Sequence, residues 1–309
     1  MADPTGLGPS WDLLDDLRQL FAYPFMVNAY RAGTAAAVSA AVVGWFMVTR
    51  RQSFVGHTLA LVGFPGAAGA TLLGLSPTAG YLGFCLGAAA VIAALPGGGR
   101  GAVAGAGGYS EESAVVGTVQ ACALACGFLF VSLYRGFLNG VNALLFGSFL
   151  GITNQQVLTL LAVAAATLLL LAVIGRPLLF ASVDPDVAAA TGVPVRGLGL
   201  AFLAVLGVAA GETSQITGSL LVFALLVIPA ATAQRLTARP ARSLALSVAL
   251  ALLVTWAALA AAYWSPYPIG FWLTTLAFAA YLAAVAGRAL AGRSRRLVPG
   301  GRLGEATGS

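Results

Sequence analysis

Residues 155–175 read QQVLTLLAVAAATLLLLAVIG, and residues 176–196 read RPLLFASVDPDVAAATGVPVR. The first stretch carries no charge over 21 residues, the length at which an apolar helix crosses a bilayer. The second is a polar-capped insertion framed by Arg176 and Arg196. The same alternation of apolar block and short Arg-bearing joint extends in both directions along the 309 residues. Candidate spans fall at about 25–48, 58–75, 78–96, 115–134, 155–175, 197–213, 215–234, 243–263 and 268–289. Composition agrees: 59% of residues are apolar and 8% charged, against about 25% charged in soluble domains. The expected fold is all-α, a polytopic transmembrane helical bundle of about nine spans. Residues 1–24 form an acidic lead-in, 25–290 one transmembrane domain, and 291–309 a disordered Arg/Gly-rich tail.

The cationic residues are sixteen Arg and no Lys. A phosphate-binding P-loop needs its Lys and a Schiff-base enzyme needs an amine, so neither is built from this chain. One His and three Cys leave too few groups for a zinc cage or a Ser-His-Asp triad. The chain is therefore read as a non-enzyme that binds no cofactor; any ATP and Mg2+ sit on another subunit. The net charge of +6 is spread singly or in pairs between apolar blocks, which speaks against a nucleic-acid face. Cys85, Cys122 and Cys126 fall inside spans and read as small buried hydrophobes; packing is preferred over a soft-metal site for the i, i+4 pair Cys122 and Cys126.

Orientation turns on the Gly-interrupted block 137–152. Read as interfacial or re-entrant, it leaves nine crossings with thirteen of the sixteen Arg on the cytoplasmic side. The amino terminus is then outside, the carboxyl terminus inside, and Trp264 and Tyr267 meet the outer interface. Arg31, at the outer start of the first span, reads as snorkelling to lipid head groups. Residues 97–108 are a flexible cytoplasmic linker by composition.

Three segments carry the function. The insertion 177–195 predicts a short cytoplasmic helix: Asp184 caps it, Pro185 opens it, Asp186 complements its dipole, Gly192 stops it and Pro194 follows. Such a helix suits docking of a soluble partner. Residues 218–236 hold Pro229 in an apolar span that ends in small residues, a kinked and closely packable helix. The stretch from Arg50 to Gly66, RRQSFVGHTLALVGFPG, enters a span with Ser53 and His57 and breaks it at Pro65 and Gly66.

Together these segments resemble the integral-membrane permeases of the zinc/manganese/iron-type ABC uptake systems, over roughly residues 25–290. The stretch LLVFALLVIPAATA resembles that family's penultimate-span region. Arg50, Arg51, Ser53 and Gly56, with Pro65 and Gly66 downstream, resemble its "RR-S-x-x-GDALSHAxLPG" stretch. The Phe146–Gly147–Ser148 block and the Asp184 to Pro194 insertion also match. The resemblance implies a coupling segment at Asp184, Asp186, Gly192 and Pro194, a separate cytoplasmic ATPase, an extracytoplasmic substrate-binding protein and a homodimer in the plasma membrane. It implies Zn2+ or Mn2+ as transported substrate, moved by alternating access. Where the family carries Asp and His, this chain has His57 and Leu61; imidazole suits zinc where carboxylate suits manganese, so zinc is favoured. His57 and Glu212 are the candidate pathway residues, the latter at the outer end of its span, either in the pathway or in a short solvated loop. The alternatives are a cobalamin/siderophore-type ABC permease and an ion-coupled carrier without an ATPase; against the second, the span interiors hold almost no charge.

Overall fold

Proline and small capping side chains set where each helix starts, and apolar length sets how far it runs. The computed structural model describes residues 13–95, 106–134, 151–219 and 222–296. Helices run Leu13–Ala22 (α1), Pro24–Thr49 (α2), Ser53–Leu72 (α3), Pro77–Ala94 (α4), Ala106–Leu133 (α5), Asn154–Val183 (α6), Pro185–Ala190 (α7), Val195–Thr217 (α8), Val222–Leu236 (α9), Pro240–Tyr263 (α10) and Ile269–Arg296 (α11). No strand occurs among the described residues. Proline opens α2, α4, α7 and α10, where its missing N–H is not needed. Ser76 caps α4, and Thr153 with Gln156 forms a reciprocal capping box on α6.

Eight of these helices are long and apolar enough to span a bilayer, and α9 is a shorter apolar helix. The chain is a multi-pass membrane protein. Burial separates centre from periphery: 78% of the most apolar stretch of α3 and 72% of that of α2 are buried, against 11% for α5. α2 packs on α6, α8, α9 and α10, while α3 packs on α4, α5 and α8. Without a hydrophobic force between helices in lipid, close approach through small residues supplies the packing. At the α3–α4 crossing a Cβ on Gly66 would lie 2.3 Å from the Gly80 carbonyl oxygen, and one on Gly80 would lie 2.2 Å from the Gly66 oxygen. Only glycine fits either position.

Several expectations are revised. The span placed at 197–213 continues to Thr217, and the next helix starts at Val222 rather than at 215. The break comes at Gly218, whose φ of +75° an L side chain rarely adopts. The polar run that suggested an earlier joint is satisfied within the helix, with Thr213 and Ser214 each donating to the carbonyl four residues back at 2.7 Å. The helix expected at 155–175 runs through Pro177 to Val183. α11 continues to Arg296, into the segment expected to be a disordered tail, and α5 begins at Ala106, inside the expected linker. Cys122 is exposed and Cys126 half-buried; only Cys85 is buried. The reason is that α5 lies at the edge of the bundle, so most of its side chains face away from protein. Block 137–152, save its last two residues, lies outside the described residues, as do 96–105 and 297–309.

Candidate functional site

Two structural neighbourhoods matter, one inside the bundle and one at the end where α2, α6 and α9 terminate. Glu212 is in the first. Within α8 it is fully buried, and Ser39 Oγ from the middle of α2 donates to its Oε2 at 3.0 Å. Its Oε1 is also buried and has no hydrogen-bond partner. The solvated outer loop considered for Glu212 is therefore ruled out: α8 carries it against α2. Further polar pairs join the packed helices. Thr78 of α4 donates to Gln215 Oε1 at 2.8 Å, Thr58 of α3 donates to Gln120 Oε1 of α5 at 2.8 Å, and Ser214 packs close to Gly63 of α3. A carboxylate oxygen left over at the centre of an apolar bundle costs free energy unless something uses it.

His57 lies on the first turns of α3, half-exposed, with its ring edge-on to Phe223 at 4.9 Å between centroids. Its Nδ1 is buried without a hydrogen-bond partner. Leu61, one turn on, is buried in the apolar core. Pro65 and Gly66 follow inside α3, and Pro229 is buried inside α9. Among the described residues no three His, Cys, Asp or Glu side chains come together as a metal-holding group. His57 and Glu212 are thus brought onto two packed helices, α3 and α8, without forming a closed ligand cage.

The second neighbourhood surrounds α7. Asp184 caps it, accepting from the Val187 N–H at 3.0 Å, Pro185 is its first residue and Asp186 lies in its first turn. Gly192, at φ +85°, reverses the chain, with its N–H on Ala189 O and the Val193 N–H on Ala188 O, each at 3.0 Å, and Pro194 stands just before α8. One side of α7 is anchored by buried Ala188, while Val183 and Val187 are exposed beside Asp186. The helix offers a small mixed face outward.

The α2–α3 joint meets the end of α6, just before α7, in an arrangement the sequence did not reveal. Arg50 is 1% exposed and lies deep among α6 and α8, whereas Arg51 takes a left-handed φ of +58° and is exposed. Gln52, Glu112 and Ser182 are the polar partners around it. Burial pulls the Arg50 guanidinium below its ordinary value and the Glu112 carboxylate pushes it back up; an arginine remains a cation at pH 7. Ser53 and Gly56 open α3 directly after this joint, with Gly56 pressed against Met47 of α2. At the opposite end, exposed Arg31 borders a cavity of about 810 Å³ walled by Phe21, Tyr30 and Trp256, a setting in which a guanidinium reaches head groups. The one available signal for the buried partners was polarity inside an apolar run, at Ser39.

The sequence profile of the ABC 3 transport family matches residues 22–288. The chain is 30% identical over 225 residues to the manganese transport system membrane protein MntC of Halalkalibacterium halodurans, covering 72% of this chain and 73% of that protein. It is 29% identical over 238 residues to the chelated iron transport system membrane protein YfeC of Yersinia pestis, covering 77% and 78%. Among solved structures, PsaBC from Streptococcus pneumoniae in complex with Fab superposes with a TM-score of 0.76 at 24% identity, over 88% of this chain and 94% of that one.

Proposed function

Because this chain belongs to the ABC 3 transport family of metal-uptake permeases, we propose that it carries a divalent first-row transition-metal ion across the plasma membrane, with Mn2+ ahead of Zn2+. The observation that carries the substrate class is Glu212. A buried carboxylate with one oxygen on Ser39 and the other free of hydrogen bonds suits a cation passing through the bundle. Oxygen donors suit manganese, whereas zinc calls for several nitrogen or sulfur ligands in a tetrahedron. Relatives that transport manganese support the same order. This reverses the preference for zinc drawn from His57, whose ring is turned edge-on to Phe223. A pathway that coordinates its ion with few protein groups can release it, as tight coordination cannot.

The same reading supplies the partners. A separate ATPase docks on α7 from the cytoplasm, a substrate-binding protein delivers the ion from outside, and two copies of the chain form the pathway, with the amino terminus outside. ATP-driven closure of the ATPase moves α7, and the bundle exposes its cavity to the other side, a two-state equilibrium biased by differential binding.

The test is uptake in vesicles that hold the permease with its ATPase and are supplied with metal-loaded binding protein. ATP-dependent accumulation of radioactive manganese above that of zinc is expected, with His57→Ala reducing zinc uptake more than manganese uptake. Accumulation of an organic chelate, with neither free ion transported, would overturn the reading in favour of a siderophore-type permease.

A further inference from the structure

Arg50 is the largest fully buried side chain among the described residues, and it is charged. Its Nε donates to Gln52 Oε1 at 3.0 Å, its Nη1 donates to Ser182 Oγ at 3.1 Å, and its guanidinium carbon lies 5.4 Å from the centroid of the Phe202 ring. Gln52 Nε2 donates onward to Glu112 Oε1 at 3.4 Å. One side chain thus joins the α2–α3 joint to the end of α6, the wall of α8 and, through Gln52, the start of α5. The joint is shaped for this purpose. Arg51 takes a left-handed conformation uncommon for a residue with a Cβ, and the reversal there sends Arg50 inward.

The place of Ser182 gives the network a direction. It lies two residues before Asp184, where α6 gives way to α7, and its hydroxyl is itself tied to Leu178 O. On the other side, α3 starts at Ser53, one residue past Gln52, and carries His57 and the Pro65–Gly66 break. An apolar side chain of similar volume would fill a purely structural site at no loss, because a buried ion rarely repays its desolvation. A planar guanidinium fork, by contrast, holds two elements in fixed relative orientation. Its Nη2 is buried without a hydrogen-bond partner, so the fork has a donor to offer a new acceptor when its neighbours shift.

We propose that Arg50 is the positioning residue through which movement of α7 reaches α3, with Ser182 as its contact on the α7 side. The inference rests on the importer reading above, since it supposes that a partner moves α7. It predicts that weakening the link separates ATP hydrolysis from transport while the complex still assembles.

Ser182→Ala removes one hydroxyl and leaves the buried cation, Gln52 and Phe202 in place; Arg50→Lys keeps the charge and loses the fork. Both variants, purified with the ATPase, are read by the ratio of metal accumulated to ATP hydrolysed. The expected result is normal assembly and melting with a fall of about five-fold or more in that ratio, the lower range of coupling effects. An unchanged ratio, whether or not yield or melting falls, would overturn the proposal and leave Arg50 a structural residue. A second readout does not depend on the cargo. Spin labels on Val187→Cys and Phe54→Cys, both exposed positions, in a chain whose Cys85, Cys122 and Cys126 are replaced by alanine, report α7 and the start of α3. A non-hydrolysable ATP analogue should shift both labels in the parent and only the α7 label once Ser182→Ala is added; a shift of both would refute the linkage. A parent complex that pumps no metal, yet shows the two-label shift, would instead count against the importer reading alone.

Discussion

Replacing Gly66 by alanine sets the α3–α4 packing against a single methyl group. The new Cβ would stand 2.3 Å from the Gly80 carbonyl oxygen, 2.9 Å from its carbon and 2.5 Å from Phe84 Cβ. Carbon atoms at rest lie at about 3.5 Å or more, so α3 and α4 must separate by about 1 Å. None of the three atoms can rotate away, because two belong to the backbone and the third is fixed to it. Overpacking of this kind costs about 1–3 kcal/mol, and the upper end applies where backbone must move. Gly83→Ala on the same α4 is the matched control. Nothing lies within 4 Å of its added Cβ, so the helix-propensity difference should stabilise by about 0.5–1 kcal/mol. Thermal melting of the purified permease should therefore move in opposite directions for the two variants, and Gly66→Ala should also slow uptake because α3 carries His57, a residue of the proposed pathway. A melting temperature for Gly66→Ala at or above that of the parent would refute the close-packed crossing.

Glu212→Gln keeps an acceptor for Ser39 and removes the ionisable carboxyl, so it should leave assembly intact and cut manganese uptake about ten-fold, equivalent to about 1.4 kcal/mol; uptake at the parental level removes Glu212 from the proposed pathway. Gly192→Pro cannot adopt φ +85° and lacks the N–H given to Ala189 O. It should deform the end of α7 and abolish copurification of the ATPase while the permease still inserts; retention of the ATPase would separate this turn from docking. Cysteine placed at Val183 should react only from the cytoplasmic side and cysteine at Tyr267 only from outside, both being exposed sites; the reverse pattern would invert the topology.

The residues of α7 show how far local chemistry carries. Cap, opening proline, first-turn acid and left-handed glycine act over one or two turns, so Asp184 to Gly192 is legible as a helix without knowledge of its surroundings. The spans are legible for a similar reason, since the thickness of hydrocarbon demands a length of apolar chain wherever the chain ends up. The match of the Arg50–Gly66 and 218–236 stretches to a permease family rested on such local patterns as well.

What faces what is a different matter. A helix apolar on all sides has no moment to indicate its inward face, so Cys122 and Cys126 read as buried although α5 leaves the first exposed and the second half-buried. The polar run Glu212 to Gln215 reads as the edge of a loop until Ser39 and Thr78 arrive from helices more than a hundred residues away to receive it. Arg50 reads as a topology signal, since a cation at a span end ordinarily reaches water; only the left-handed turn at Arg51 and the convergence of Gln52, Ser182 and Phe202 put it inside. The sequence alone determined that the chain is a membrane bundle, where the short helix α7 begins and ends and which family pattern it follows, because lipid and capping act on neighbouring residues. Only the tertiary structure decided that Glu212 is buried with an oxygen to spare and that Arg50 joins the α2–α3 joint to the end of α6 and to α8, because those facts belong to pairs of distant residues that nothing but packing brings together.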